Sequence, residues 1–162
     1  MLGHTFSNLE NELRFMRNSL CGFANGDMLV MDFRMAYASA SDPDEIRSKD
    51  PTFAIRRNND LSQRRDEFLA GPFKRYGADQ ADVEITPALD MSCAVPGSYG
   101  VDLRARVRSD TTEREFSVYY SRRYEPQQLM QALRREGWET IDTWEYGGES
   151  SPCLLVLLRK MN

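Results

Sequence analysis

His4 is the only histidine in this 162-residue chain. Its imidazole, with an ordinary pKa of about 6.5, could act as a general base or simply pack and hydrogen-bond. A Ser-His-Asp triad or an imidazole-based metal site would have to use it, and no Gly-x-Ser-x-Gly stretch offers a nucleophile. Three cysteines, Cys21, Cys93 and Cys153, are widely spaced and odd in number. That spacing fits neither a zinc set nor a disulfide framework, so no metal is expected and the thiols read as buried, reduced groups of a cytosolic protein. The basic clusters are arginine pairs at 56 and 57, 64 and 65, and 122 and 123. They could meet phosphates, but a net charge of −4 provides no general field toward nucleic acid or anionic lipid. Arg64 and Arg65 read as a solvated face balanced by Asp60, Asp66 and Glu67. The aromatic residues Tyr119, Tyr120, Trp138 and Trp144 read as core or interface residues. No apolar run approaches the roughly 20 residues that span a bilayer, so neither a nucleic-acid nor a membrane partner is expected.

The elements that must position these groups follow from periodicity. Ser7-Asn8-Leu9-Glu10 reads as a capping box, ahead of a helical stripe of Leu9, Leu13, Met16 and Leu20. Asn25-Gly26-Asp27 is a turn, and Met28 to Phe33 is an unbroken apolar run, expected as a strand covered on both faces. Asp42-Pro43 starts a second helix, and a third from Asp60 is expected to break at Gly71-Pro72. From Asp82 the period becomes two. Val83 and Ile85, then Val101, Leu103, Ala105 and Val107, then Phe116, Val118 and Tyr120 predict an antiparallel meander with one wet face. Pro126 opens the last helix, which turns Leu129 and Leu133 inward and closes at Gly137. Trp138 to Trp144, the Gly147-Gly148 turn and Cys153 to Leu158 complete a terminal hairpin.

Two stretches carry a resemblance. Leu2-Gly3-His4-Thr5-Phe6-Ser7-Asn8-Leu9, followed by a helix, Asn25-Gly26-Asp27 and an apolar strand, is similar to a segment of the histidine Nα-methyltransferases of ergothioneine synthesis. Tyr120-Ser121-Arg122-Arg123-Tyr124, with the following helix, Gly137-Trp138-Glu139 and closing strand, resembles the end of the same SAM-dependent family. The resemblance implies an α/β fold, the C-terminal half of a Rossmann-like class I methyltransferase sheet with an antiparallel β-rich insertion. Residues 1–40 would be strand, helix and strand of the Rossmann-like part, 41–120 the substrate-domain insertion, and 121–162 the final helix and hairpin.

The implied reaction is methyl transfer from S-adenosyl-L-methionine to an amine or similar nucleophile of a small molecule. Alignment and desolvation would carry the catalysis, so no catalytic acid or base is assigned. Gly3 and Thr5 would line the cofactor's methionine end. Asn8 would hold the acceptor's amino-acid end, since an amide both donates to a carboxylate and accepts from an amine. Tyr119 and Ser121 would face the acceptor. Tyr119 stands where the histidine-methylating members carry glutamate, which implies a less basic or flatter acceptor. The Gly-rich cofactor loop and ribose-binding acid of such enzymes have no counterpart here, so the chain is expected to be a fragment or truncated frame that binds SAM weakly alone. The alternative is a non-catalytic methyltransferase-like interaction domain, and an exposed sheet edge would favour self-association.

Overall fold

A computed structural model describes residues 6–9, 11–53, 60–75, 82–109, 112–149 and 151–162, with side chains 60–63 left aside. Its architecture is mixed α/β, with two three-stranded antiparallel sheets. A 3-10 turn, Phe6–Asn8, leads into α1, Glu12–Ser19. The helix is capped by Asn11, whose side chain accepts from the Arg14 amide at 2.9 Å, in place of the expected Ser7 box. Ser7 lies a full turn too early, and its hydroxyl is buried without a hydrogen-bond partner. The expected stripe does face inward: Met16 and Leu20 are buried, and Leu9 and Leu13 pack against the same core.

Strand β1, Met28–Arg34, alternates between faces. Leu29, Met31 and Phe33 are buried, whereas Val30 and Asp32 are half-exposed, so the expected cover on both faces is found on one only. Asp32 explains the wet side, because its carboxylate accepts from the Tyr146 hydroxyl at 2.5 Å rather than facing apolar packing. Asp42 caps α2, Pro43–Lys49, through its Oδ1, with Pro43 in the first turn as expected. Helix α3, Asp60–Arg75, runs through Pro72 instead of breaking there. The amide that Pro72 lacks would have met the carbonyl of Phe68, which sits on an exposed turn where water can take its place.

The meander forms as expected, from β2, Asp82–Asp90, β3, Tyr99–Arg108, and β4, Glu113–Arg123. Val101, Leu103 and Ala105 form its buried face, where Ile46 of α2 and Leu69 of α3 also pack. Arg104, Arg106 and Arg108 pair with Asp82, Glu84, Asp102, Glu113 and Glu115 on the wet face.

The closing unit also matches expectation. Glu125 caps α4, Pro126–Arg135, through hydrogen bonds from the Gln127 and Gln128 amides. Gly137 then takes the left-handed conformation, φ 82°, that ends the helix. Strands β5, Trp138–Tyr146, and β6, Cys153–Lys160, form the hairpin, and β6 lies between β1 and β5 in the order β1-β6-β5. Leu29, Met31 and Phe33 of β1 sit in register with Leu158, Val156 and Leu154 of β6. This apolar face packs against Met16 of α1 and Leu129 and Leu133 of α4. The end of β4 joins that sheet through a parallel bridge between Tyr124 and Met35. Arg17 of α1 reaches Glu136 at 2.5 Å, tying the two core-face helices together.

Five tyrosines affect the fold's pH response. Burial, reinforced by neighbouring carboxylates, raises the phenols of Tyr99, Tyr120, Tyr124 and Tyr146 well above 10, and raises that of Tyr37 as well. A raised folded-state pKa contributes stability that is present in full below the unfolded value of about 10 and is lost as pH rises toward the folded value. Urea midpoints measured between about pH 8 and 11 should therefore fall steeply above about pH 9.5. A flat profile would show that the phenols ionise as readily in the fold as in the unfolded chain.

Candidate functional site

The 3-10 turn and α1 stand over the far face of the meander and leave a groove of about 770 Å³. Asn8, Asn11, Arg14, Phe15 and Asn18 form one wall, and Asp90, Ser92, Ser117, Tyr120 and Arg122 form the other. The α1 residues share a wall because positions 11, 14, 15 and 18 recur at helical spacing, opposite the buried Met16 and Leu20. Among the described residues the Asn8 amide and the Arg14 guanidinium engage no side-chain partner, and both line the groove.

The meander wall is set by one irregularity. Leu103 pairs with Tyr119 but Arg104 pairs with Ser117, so β4 carries an extra residue at Val118. A bulge of one residue reverses the alternation beyond it. Phe116 therefore shares a face with Ala105, whereas Tyr120 lies opposite Asp102 and Arg122 opposite Gly100, on the groove side. The expected single stripe of Phe116, Val118 and Tyr120 is broken at this point. Tyr119 and Ser121 point the other way. Tyr119 packs with Leu103 and Val101, and the buried Ser121 hydroxyl accepts from Arg123 at 2.7 Å. Of the expected acceptor residues, Asn8 lines the groove, and Tyr119 and Ser121 lie behind its meander wall. His4, Gly3 and Thr5 fall outside the described residues.

Behind the groove, Glu12 of α1 is fully buried and accepts from Arg122, itself 3% exposed, and from the Tyr124 hydroxyl at 3.3 Å. Arg122 Nε also donates to the Tyr120 hydroxyl at 3.2 Å, and that hydroxyl donates to Asp90 at 2.7 Å. The Tyr120 ring has room because position 100 is glycine: a Cβ there would stand 2.2 Å from the phenol oxygen. Burial tends to raise the Asp90 pKa, but hydrogen bonds from Ser92 and Tyr120 and the charge of Arg122 outweigh it and hold the carboxyl below its usual range. The groove thus sets a fixed carboxylate and phenol against an open amide and guanidinium, which suits a small polar molecule with both an amine and an acidic group.

On the other face of β4, Arg123 is 2% exposed and lies 3.2 Å from the buried Asp50. Its Nε is misaligned for a hydrogen bond there, but the terminal nitrogens reach Ser121 and Thr52. Tyr99 donates to Asp50 at 3.2 Å. The pair at 122 and 123, a basic cluster that in sequence could have met phosphates, is thus committed to internal carboxylates on opposite faces of one strand.

The thiols differ from the expected pattern: all are free, but only Cys153 is buried, and Cys21 is exposed at the end of α1. Among the described residues no group of three His, Cys, Asp or Glu side chains could hold a metal. No described helix is long and apolar enough to cross a membrane. The adjacent Gly147 and Gly148 have φ of 86° and 66° and close the β5–β6 hairpin rather than opening a helix, so they do not fit the phosphate- or cofactor-cradling kind of glycine loop.

The architecture is thus α/β, with a polar groove between the 3-10 turn and α1 on one side and the meander on the other. No family model matches the sequence, and no curated protein matches it. Among solved structures, the chain is similar to an S-adenosylmethionine-dependent methyltransferase from Clostridium acetobutylicum ATCC 824. The identity is 7% and the TM-score 0.44, over 98% of this chain and 56% of that one. The chain thus spans little more than half the length of that structure, and a likeness at this level carries no argument about activity.

Proposed function

We propose that this chain supplies the acceptor-binding side of a SAM-dependent methyltransferase acting on an amine or similar nucleophile of a small molecule. The observation that carries the reading is convergence: the two stretches that resemble such enzymes, around Asn8 and around Tyr120 to Tyr124, meet across one groove. Asn8 would hold the acceptor's amino-acid end, donating to its carboxylate and accepting from its amine. Arg14 strengthens the hold on the acid, and Asp90 with Tyr120 receives the basic part. Tyr119 and Ser121 act from behind the wall, fixing the strand that presents Tyr120 and Arg122. SAM, when bound, supplies a methyl group on a sulfonium. Gly3 and Thr5 would meet its methionine end, and these residues alone should bind it weakly.

The test is titration of the ¹⁵N-labelled chain with a panel of free amino acids and small amines. Amide shifts should cluster at Asn8, Tyr120 and Arg122. Asn8→Ala should weaken binding of the best amine by about 1–3 kcal/mol, or roughly 5- to 150-fold. A panel that perturbs no groove resonance, or an Asn8→Ala chain with unchanged affinity, overturns the placement. A non-catalytic interaction domain is the second reading, favoured by the open face of the β1-β6-β5 sheet. SAM that shifts no resonance at millimolar concentration would favour it.

A further inference from the structure

On the meander wall of the groove, Asp90 and Tyr120 have already given away every proton they own. Asp90 Oδ1 accepts twice from Ser92, from its amide at 2.8 Å and from its hydroxyl at 2.5 Å. Asp90 Oδ2 accepts from the Tyr120 hydroxyl at 2.7 Å, and the phenol oxygen accepts in turn from Arg122 Nε at 3.2 Å. The Cys93 thiol has a single proton and two distant acceptors for it, the Asp90 carbonyl at 3.8 Å and the phenol at 3.9 Å. Carboxylate and phenol oxygens each accept at two positions. Among the described residues, one position on Oδ2 and one on the phenol oxygen are therefore left, both of them acceptors, and both residues line the groove.

Charge favours a cation in that place. Arg122 is already paired with Glu12 behind the wall, so the Asp90 carboxylate presents negative charge to the groove. Spacing then chooses among cations, because Oδ2 and the phenol oxygen are only 2.7 Å apart. The N–H bonds of an ammonium diverge tetrahedrally, and two acceptors at ordinary bonding distance from it would stand about 4.5 Å apart. Two amino nitrogens on one edge of a guanidinium are about 2.3 Å apart and donate side by side, which matches the observed pair. An imidazolium fails the same test, since its two N–H groups point away from one another. Phe15, on the opposite wall, offers a ring to the flat face of such an ion.

We propose that Asp90 and Tyr120 form a subsite for the planar fork of a guanidinium. Joined to the reading of Asn8 and Arg14 as the hold on an amino-acid end, on which this step alone rests, the ligand is a guanidinium-bearing amino acid. A guanidinium holds its proton up to a pH above about 12. Neither neighbour can take that proton. Hydrogen bonds from Ser92 and Tyr120 and the charge of Arg122 hold the Asp90 carboxyl below its usual range despite its burial, and burial with the bond to Asp90 pushes the Tyr120 phenol up. The group in this subsite is therefore an anchor. The nucleophile of the proposed transfer is a different group of the same molecule, the amine at its amino-acid end.

The test is titration of the ¹⁵N-labelled chain with L-arginine, agmatine, L-lysine, L-citrulline and L-histidine. Arginine should shift the amides of Asp90, Ser92 and Tyr120, and bind at least about tenfold more tightly than lysine, whose ammonium reaches one of the two oxygens. Citrulline keeps the shape but loses the charge, and it should be weaker than arginine by a similar factor, as should histidine. Asp90→Asn should weaken arginine by more than about tenfold, and Tyr120→Phe by roughly three- to tenfold, with circular dichroism unchanged. Should either variant misfold, arginine against lysine and citrulline on the unaltered chain decides. Lysine or citrulline binding as tightly as arginine overturns the proposal. So does arginine that shifts neither Asp90 nor Tyr120. Agmatine, which lacks the carboxylate, separates the two readings: binding equal to arginine at Asp90 and Tyr120 upholds the subsite and sinks the role given to Asn8 and Arg14.

Discussion

Replacing Arg122 with alanine should cost about 3–5 kcal/mol of unfolding free energy, because it leaves the fully buried Glu12 charged and without its counterion. Domains of this size are commonly stable by about 5–15 kcal/mol, so the variant would be marginal. The loss has a structural route: Arg122 joins α1, through Glu12, to the meander, and its Nε holds the Tyr120 phenol. Removing it frees the helix that forms one groove wall and the ring that forms the other. Urea denaturation at neutral pH measures the effect. The double variant Glu12→Leu, Arg122→Met should recover most of the stability, since an apolar pair of similar volume avoids the desolvation of two charges. It should not recover the groove, because Tyr120 loses its donor. A single Arg122→Ala loss below about 1 kcal/mol would mean that water reaches Glu12.

Asp50→Ala should be similarly costly, about 3–5 kcal/mol, with its damage on the opposite side of β4. The buried carboxylate is the ion-pair partner of Arg123, the acceptor for the Tyr99 hydroxyl, and the acceptor for the Thr52 amide at 2.9 Å. Its loss strands a guanidinium that is 2% exposed. Asp50→Asn keeps an oxygen for Tyr99 and Thr52 but removes the countercharge, so its cost should fall between wild type and alanine. Hydrogen exchange should localise the change to α2 and β3, leaving β1, β5 and β6 protected. Equal costs for asparagine and alanine would show that the charge, and not the hydrogen bonds, supports this core. Uniform loss of protection would show that the two sheets unfold as one unit.

The two carboxylates explain why the site was only partly legible in the sequence. Local chemistry was readable: Asp42 before Pro43, Glu125 before Pro126 and Gly137 after α4 act within a few residues, and each cap forms where it was expected. Two-residue alternation located the meander, and the apolar run at the end located β6. At the N-terminus a local rule had two solutions. Ser7 and Asn11 can each cap a helix, and the structure uses Asn11 while Ser7 is buried.

By itself the sequence determined the elements, their order, the hairpin and the position of Asn8 ahead of α1, because backbone capping, turn chemistry and periodicity act over short spans. Tertiary structure alone decided which β4 residues face the groove. One extra residue at Val118 reverses the strand's parity, turning Tyr120 and Arg122 toward Asn8 and carrying Tyr119 and Ser121 to the other side. It also decided the fate of Arg122 and Arg123. In sequence they form only a basic pair with no visible partner, because Glu12, which binds the first, lies 110 residues away. The same holds for the outer face of the β1-β6-β5 sheet. An apolar run shows that a strand wants cover, but only the packing of α1 and α4 on one side reveals which face has received it.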